Sequence, residues 1–162
     1  EHVIEQIKTD KTSRRILMTD YNPIQLKQGV LPPCHSVILQ FHVETDEKAN
    51  KEYLDMTCYN RSQDLFLGTP FNIASSALLL NIIAKVTNTT ARYMILFLGN
   101  VHIYEEHNEA VKQQLSHFVY NMAKIVITKE LNTMKDIEEL KSEDFVLENY
   151  KSHNTIQTIM KA

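Results

Sequence analysis

Glycine is scarce in this chain, with three in 162 residues. Loops that cradle phosphate with backbone N–H groups need several glycines at set spacing, so the common glycine-rich nucleotide loops are excluded. Cysteine is scarcer still. Cys34 and Cys58 are too few for a disulfide framework and lack metal-ligand spacing, so no metal is expected. Free thiols suit a reducing compartment, which makes a cytoplasmic location the expectation. No sign of charge dominates: 17 Lys and Arg against 20 Asp and Glu leave −3. That balance indicates neither a broad basic face for nucleic acid nor an acidic tail. The apolar runs fall well short of the ~20 residues of a membrane span, so no membrane partner is expected.

What is present is ordinary for a globular protein: 43% hydrophobic and 23% charged residues, with a length that suits one domain over residues 1–162. The first residue is Glu1, and "EHVIEQIK" reads as the middle of a helix with no capping residue ahead of it. The expectation is an N-terminally incomplete domain. "RRILMTDYNP" predicts a strand from Arg15 to Thr19 that stops at the turn residues Asn22 and Pro23. "SVILQFHVE" (36–44) and "YLDMTCYNRS" (53–62) read as a hairpin, with the charged "ETDEKANKE" as a solvated turn. "FNIASSALLLNIIAKV" (71–86) has apolar residues on all sides and predicts a long, buried central helix. "YMILFLGNVHIY" reads as a further strand, "EEHNEAVKQQLSHF" as a surface helix, and "KIVITK" and "DFVLENY" as two short strands. The class is α/β or α+β, a mixed sheet with flanking helices.

Cys34 is the first candidate for chemistry. Two prolines fix its approach in "GVLPPCHSVILQF" and His35 follows it, which suits a nucleophile; a small buried hydrophobe is the alternative. His35 is a poor direct base because neighbouring residues of a strand face opposite ways. A cation brought in by folding would be a better activator. Arg61 and Ser62 suit a phosphate, and the planar amide of Asn72 suits a pyrimidine edge, although Asn72 could equally be a helix cap. His102 and Tyr104 alternate on one face as a hydrogen-bonding pair would. Arg14 and Arg15 could clamp a phosphate or simply be solvated.

The segments "SRRILMTDYNP", "LPPCH", "QF", "RSQDLFLGTPFNIAS", "GNVHIY", "NEAVKQQL" and "ENYKSHNTI" occur in one order over essentially the whole chain. In that order the chain resembles thymidylate synthase. The resemblance implies the fold of that family and a homodimer whose sheets pack back to back. It implies methylation of dUMP with 5,10-methylenetetrahydrofolate as co-substrate, begun by attack of the Cys34 thiolate on C6 of the uracil ring. Arg61 would bind the phosphate and favour the thiolate, and Ser62 would bind the phosphate. Asp64 would meet both the pyrimidine and the folate. Asn72 would read the uracil edge, and His102 with Tyr104 would bond the ribose. Arg14 and Arg15 would reach the phosphate in the other subunit. Ala162 would end the segment that closes over the folate, "SHNTIQTIMKA" lining up with the family's last residues.

Several positions depart from the family's pattern. Asn60 replaces glutamine, Ser76 tyrosine, Asn100 aspartate, Tyr21 tryptophan and His117 arginine. The resemblance also implies an upstream part with another phosphate arginine, a catalytic glutamate and a folate-contacting tryptophan. Two alternatives remain: a dUMP hydroxymethylase, in which water traps the exocyclic methylene, and a non-catalytic nucleotide-binding relative.

Overall fold

The computed structural model of the protein describes residues 1–28 and 33–160. Pro32 and Ala162 therefore lie outside the described residues. In chain order the elements are α1 (His2–Thr9), β1 (Leu17–Thr19), β2 (Ile38–Asp46), β3 (Lys51–Asp64), α2 (Gly68–Val86) and β4 (Thr90–His102). They continue with α3 (Asn108–Leu115), β5 (Lys124–Ile127), α4 (Met134–Glu138) and β6 (Phe145–Glu148). The mixed α/β class expected from the sequence holds.

β1 to β4 form one sheet in that order, antiparallel from β1 to β3, with β4 parallel to β3. A parallel pair needs a crossover, and α2 supplies it. β5 and β6 pair separately, as the two short strands read from sequence.

The period of two decides which sheet face is covered. Leu39, Phe41 and Val43 of β2 and Leu54, Met56 and Cys58 of β3 point inward. They share one cluster with Val3, Ile4 and Ile7 of α1 and Leu80, Ile83 and Ala84 of α2. Each such aliphatic side chain contributes about 1.5–3 kcal/mol by burial, so a one-residue register slip would be prohibitive. The other face is open and apolar: Ile38, Tyr59 and Phe97 stand in one cross-strand row, all exposed, with Ile95 and Val101 beside them.

Several sequence expectations need correction. β1 begins at Leu17, because Arg14 and Arg15 lie in an exposed turn before it. α2 starts at Gly68 and is covered along one face only; Phe71 is 74% and Ile73 42% exposed. Among the described residues β3 and β4 are the main partners of α2, and a sheet can cover only one side of a helix. At 19 residues α2 is also long and apolar enough, by length and composition, to cross a membrane. Leu80, Ile83 and Ala84 of its covered face belong to the core cluster under the sheet. The predicted helix over 105–118 is a 3-10 turn at Glu105–His107 followed by the shorter α3. α4 was not expected, although Thr133 and Asp136 form a capping box whose Thr-x-x-Asp spacing is visible in the sequence.

The charged stretch after β2 is not a turn throughout. The ladder continues through Thr45 opposite Glu52 and Asp46 opposite Lys51, leaving residues 47–50 to close the hairpin. At its end Asp46 Oδ1 accepts the N–H groups of Lys48 and Ala49, and Lys11 pairs with Glu52. Where the extension starts, the guanidinium of Arg92 of β4 bonds Asp55 through two nitrogens at 3.0 and 2.6 Å, reaches Glu44, and lies over the rings of Tyr53 and Tyr93. Hydrogen bonding to Arg92 holds both the Glu44 and Asp55 carboxyls below their usual range. Arg92→Met is expected to destabilise the protein by about 1–3 kcal/mol, because Asp55, in a largely covered position, keeps only the Tyr93 N–H as donor. A carboxyl with a lowered folded pKa stabilises above its unfolded value of about 4 and loses that contribution as pH falls through the folded value. The gap between wild type and Arg92→Met in urea titrations should be constant near neutrality and shrink below pH ~4. An equal gap at all pH values would contradict this account.

Candidate active site

The carboxyl ends of parallel strands are where open α/β sheets gather ligand-binding residues, since the chain leaves the sheet there and frees side chains and backbone. β3 and β4 end side by side, with Asp64 opposite His102, and the Leu65 N–H donates to the His102 carbonyl at 2.9 Å. The predicted residues Arg61, Ser62, Asp64 and His102 thus meet at one edge. Tyr104 follows, its ring 5.1 Å from that of His102 in an edge-on arrangement.

The Cys34 segment is fastened to the same end of β3. Arg61 Nε donates to the Pro33 carbonyl at 3.2 Å, and the Ser62 N–H donates to the Cys34 carbonyl at 3.2 Å. Ser36 sits in left-handed backbone at φ 54, which turns the chain sharply from Cys34 into β2. Its N–H is held by Asn60 Oδ1 at 2.7 Å, and the Val37 N–H bonds the Tyr59 carbonyl. Four contacts from residues 59–62 therefore fix the loop that presents a half-buried Cys34 thiol, with His35 turned to solvent. Cys58, by contrast, is fully buried and its thiol donates to Asn60 Oδ1 at 3.2 Å. One cysteine packs and the other is offered.

Asp64 caps the turn into α2: its Oδ1 accepts the N–H groups of Phe66 and Leu67, and its carbonyl accepts the Thr69 hydroxyl. Asn72 sits one turn inside α2, so the helix-cap alternative for Asn72 is removed. Its Oδ1 takes a hydrogen bond from Gln63 Nε2 at 2.8 Å, and Gln63 in turn bonds Asn60 at 2.7 Å. Gln63 and Asn60, 1% and 0% exposed, were not among the predicted site residues. The signal was an asparagine at an inward position continuing the buried row of Leu54, Met56 and Cys58.

His107 was also missed. It is fully buried, its ring 5.5 Å from Tyr104 and 5.4 Å from Phe66. Its Nε2 lies 2.8 Å from the Ile159 carbonyl, which can only accept, so Nε2 carries the proton and ties the tail to the site. Arg14 and Arg15 are not brought to Cys34 in this chain; they precede the edge strand β1, two strands away from β3. Ala162 lies outside the described residues. At the start of α2, past Leu67 and Phe71, opens a cavity of about 740 Å³, lined also by Phe66, Phe118, Tyr120, Lys151 and His153 among others. Among the described residues no group of three or more His, Cys, Asp or Glu side chains could hold a metal ion.

Comparison with known proteins identifies the family. The sequence profile described as thymidylate synthase matches residues 1–162. A thymidylate synthase of Malacoplasma penetrans is 42% identical over 156 residues, covering 96% of this chain and 51% of that protein. That of Agaricus bisporus is 42% identical over 153 residues, 94% of this chain and 51% of its own. That of Saccharomyces cerevisiae is 39% identical over 163 residues, 99% and 52% respectively. This chain thus spans about half the length of the curated relatives it matches. A match over every residue, at about 40% identity, leaves one conclusion: the chain belongs to the thymidylate synthase family.

Proposed function

We propose that this chain carries the nucleotide half of a thymidylate synthase, converting dUMP to dTMP with 5,10-methylenetetrahydrofolate. The observation that carries the reading is the fastening of the Cys34 loop to Arg61 and Ser62 at the same strand end that leads to Asn72. Arg61 and Ser62 hold the phosphate, with the ribose against His102 and Tyr104 and the ring over Cys34. The thiolate sulfur adds to C6, and the electron pair of the C5–C6 double bond moves towards the C4 carbonyl oxygen. Asn72 meets that oxygen, stabilising the charge that develops there. The folate supplies the one-carbon unit that bonds to C5 and the hydride that makes it a methyl group, while C5 gives up its proton and the C6–S bond breaks to return the Cys34 thiolate. The exposed ring of Phe71, which lines the cavity, suits a flat ligand of that kind, and Asp64 would meet it from the turn into α2. Ala162 would close this end.

The open sheet face supports a homodimer, since its row of Ile38, Tyr59 and Phe97 is apolar and uncovered. Such pairing would bring Arg14 and Arg15 of each subunit to the phosphate in the other. Cys34 must stay reduced to act, which suits a cytoplasmic setting.

Alkylation tests the reading directly, because Cys58 is sealed and only Cys34 should react. Saturating dUMP is expected to slow iodoacetamide labelling of Cys34 by at least about tenfold, since a bound ring covers the thiol. The full-length protein should form dTMP and dihydrofolate in equal amounts. Hydroxymethyl-dUMP as the product, or a labelling rate indifferent to dUMP, would reject the proposal.

A further inference from the structure

Three side-chain amides run in single file from the Cys34 loop to the pyrimidine-facing residue, and their polarity is set at one end. The Ser36 N–H is a backbone donor and cannot accept, so the group it meets on Asn60 must be the carbonyl oxygen, 2.7 Å away. The Cys58 thiol donates to the same oxygen. Asn60 must then offer Nδ2 to its other neighbour, and that neighbour is Gln63 Oε1 at 2.7 Å. Gln63 has only Nε2 left, which donates to Asn72 Oδ1 at 2.8 Å. Turning any one amide over would set donor against donor or acceptor against acceptor inside a buried row, leaving polar groups unpaired.

The consequence falls on Asn72. Its Oδ1 is pinned towards Gln63, and no described residue accepts from its Nδ2. The half-buried amide therefore presents an N–H donor, with one lone pair of Oδ1 still available beside it. We propose that Gln63 is a specificity-determining positioning residue, which locks the Asn72 amide in the orientation that accepts a 4-oxo pyrimidine and refuses a 4-amino one. A ring with a carbonyl at C4 and an N–H at N3 complements that donor and acceptor. A cytosine ring, with an amino group at C4 and a bare N3, meets donor with donor and acceptor with acceptor. The inference rests on the proposed binding of dUMP and adds the part of the site that selects the base.

Gln63→Glu and Gln63→Met test it in the full-length protein, with dissociation constants for dUMP and dCMP measured by calorimetry. A carboxylate at position 63 can only accept, so it satisfies Asn60 Nδ2 and attracts Asn72 Nδ2, turning the Asn72 amide over. The preference for dUMP over dCMP is expected to fall at least tenfold in Gln63→Glu. Gln63→Met has a similar length and no polar end, leaving the Asn72 amide free to turn; the preference should fall here too, by less. The ratio isolates orientation, because a merely structural role would weaken both nucleotides equally. If Gln63→Glu does not fold, Gln63→Met decides alone. An unchanged ratio in the folded variants, with dUMP still bound, overturns the inference and leaves the proposed function standing. Wild type that binds no dUMP removes both.

Discussion

Cys34→Ser is expected to abolish turnover, lowering kcat by more than about 10⁴-fold, while the protein folds as before. The magnitude follows from what a hydroxyl lacks. A thiol at neutral pH supplies some thiolate, and thiolate is intrinsically a far better nucleophile towards an electron-poor carbon than an unassisted serine hydroxyl. No described residue stands beside Cys34 as a base that would activate a serine, and His35 faces solvent. Folding should be spared, because the loop is held through the Cys34 and Pro33 carbonyls and the Ser36 N–H, none of which belongs to the sulfur. The measurement pairs dTMP formation in the full-length protein with dUMP binding and a melting curve. Loss of the covalent dUMP adduct with binding retained is the expected result. Turnover in Cys34→Ser near the wild-type rate would remove Cys34 from the chemistry.

Gly99→Ala is expected to damage stability and activity together, although Gly99 carries no side chain of its own. A methyl group there would lie 2.4 Å from the Arg61 carbonyl oxygen and 3.1 Å from the Arg61 carbonyl carbon. Both are backbone atoms, so no side chain can swing aside, and β3 must move away from β4. The residues displaced, 60 to 62, are those that hold the Cys34 loop. Overpacking of this kind costs about 1–3 kcal/mol, and a domain this size loses about 2–4 °C of Tm for each kcal/mol. Misplacing the thiol by an ångström would lower kcat a further ~100-fold. Gly68→Ala is the contrast: its added carbon meets side-chain atoms at 3.4 Å or more, which is ordinary contact. That variant should melt within about 1 kcal/mol of wild type, because the same carbon also restricts the unfolded chain. A Gly99→Ala protein with wild-type Tm and turnover would mean that the strands absorb the methyl group without shifting Arg61.

Local pattern made part of this protein legible from its sequence. Period-two alternation specifies β2 and β3 because a strand buries every second residue, and Leu39, Phe41, Leu54 and Met56 obey that rule. The apolar stripe Val3, Ile4 and Ile7 specifies α1 for the same kind of reason. Cys34, Arg61, Ser62, Asn72, His102 and Tyr104 were nameable as candidates from residue type and short spacing, and Asp64 through the ordered motifs that carry the resemblance. The length of the hairpin was not legible, since it carries contacts from distant residues: Lys11 pairs with Glu52, 41 residues away, and Arg92 with Asp55, 37 residues away. Burial of α2 was overread for a related reason: composition states how apolar a helix is, and only its neighbours state how many faces are covered. The amide row shows the limit most clearly. Asn60, Gln63 and Asn72 span strand, turn and helix, and nothing in their spacing tells which end of each amide faces which neighbour. That polarity is propagated from a single backbone N–H at Ser36, and a backbone donor acquires a direction only when the chain is folded around it.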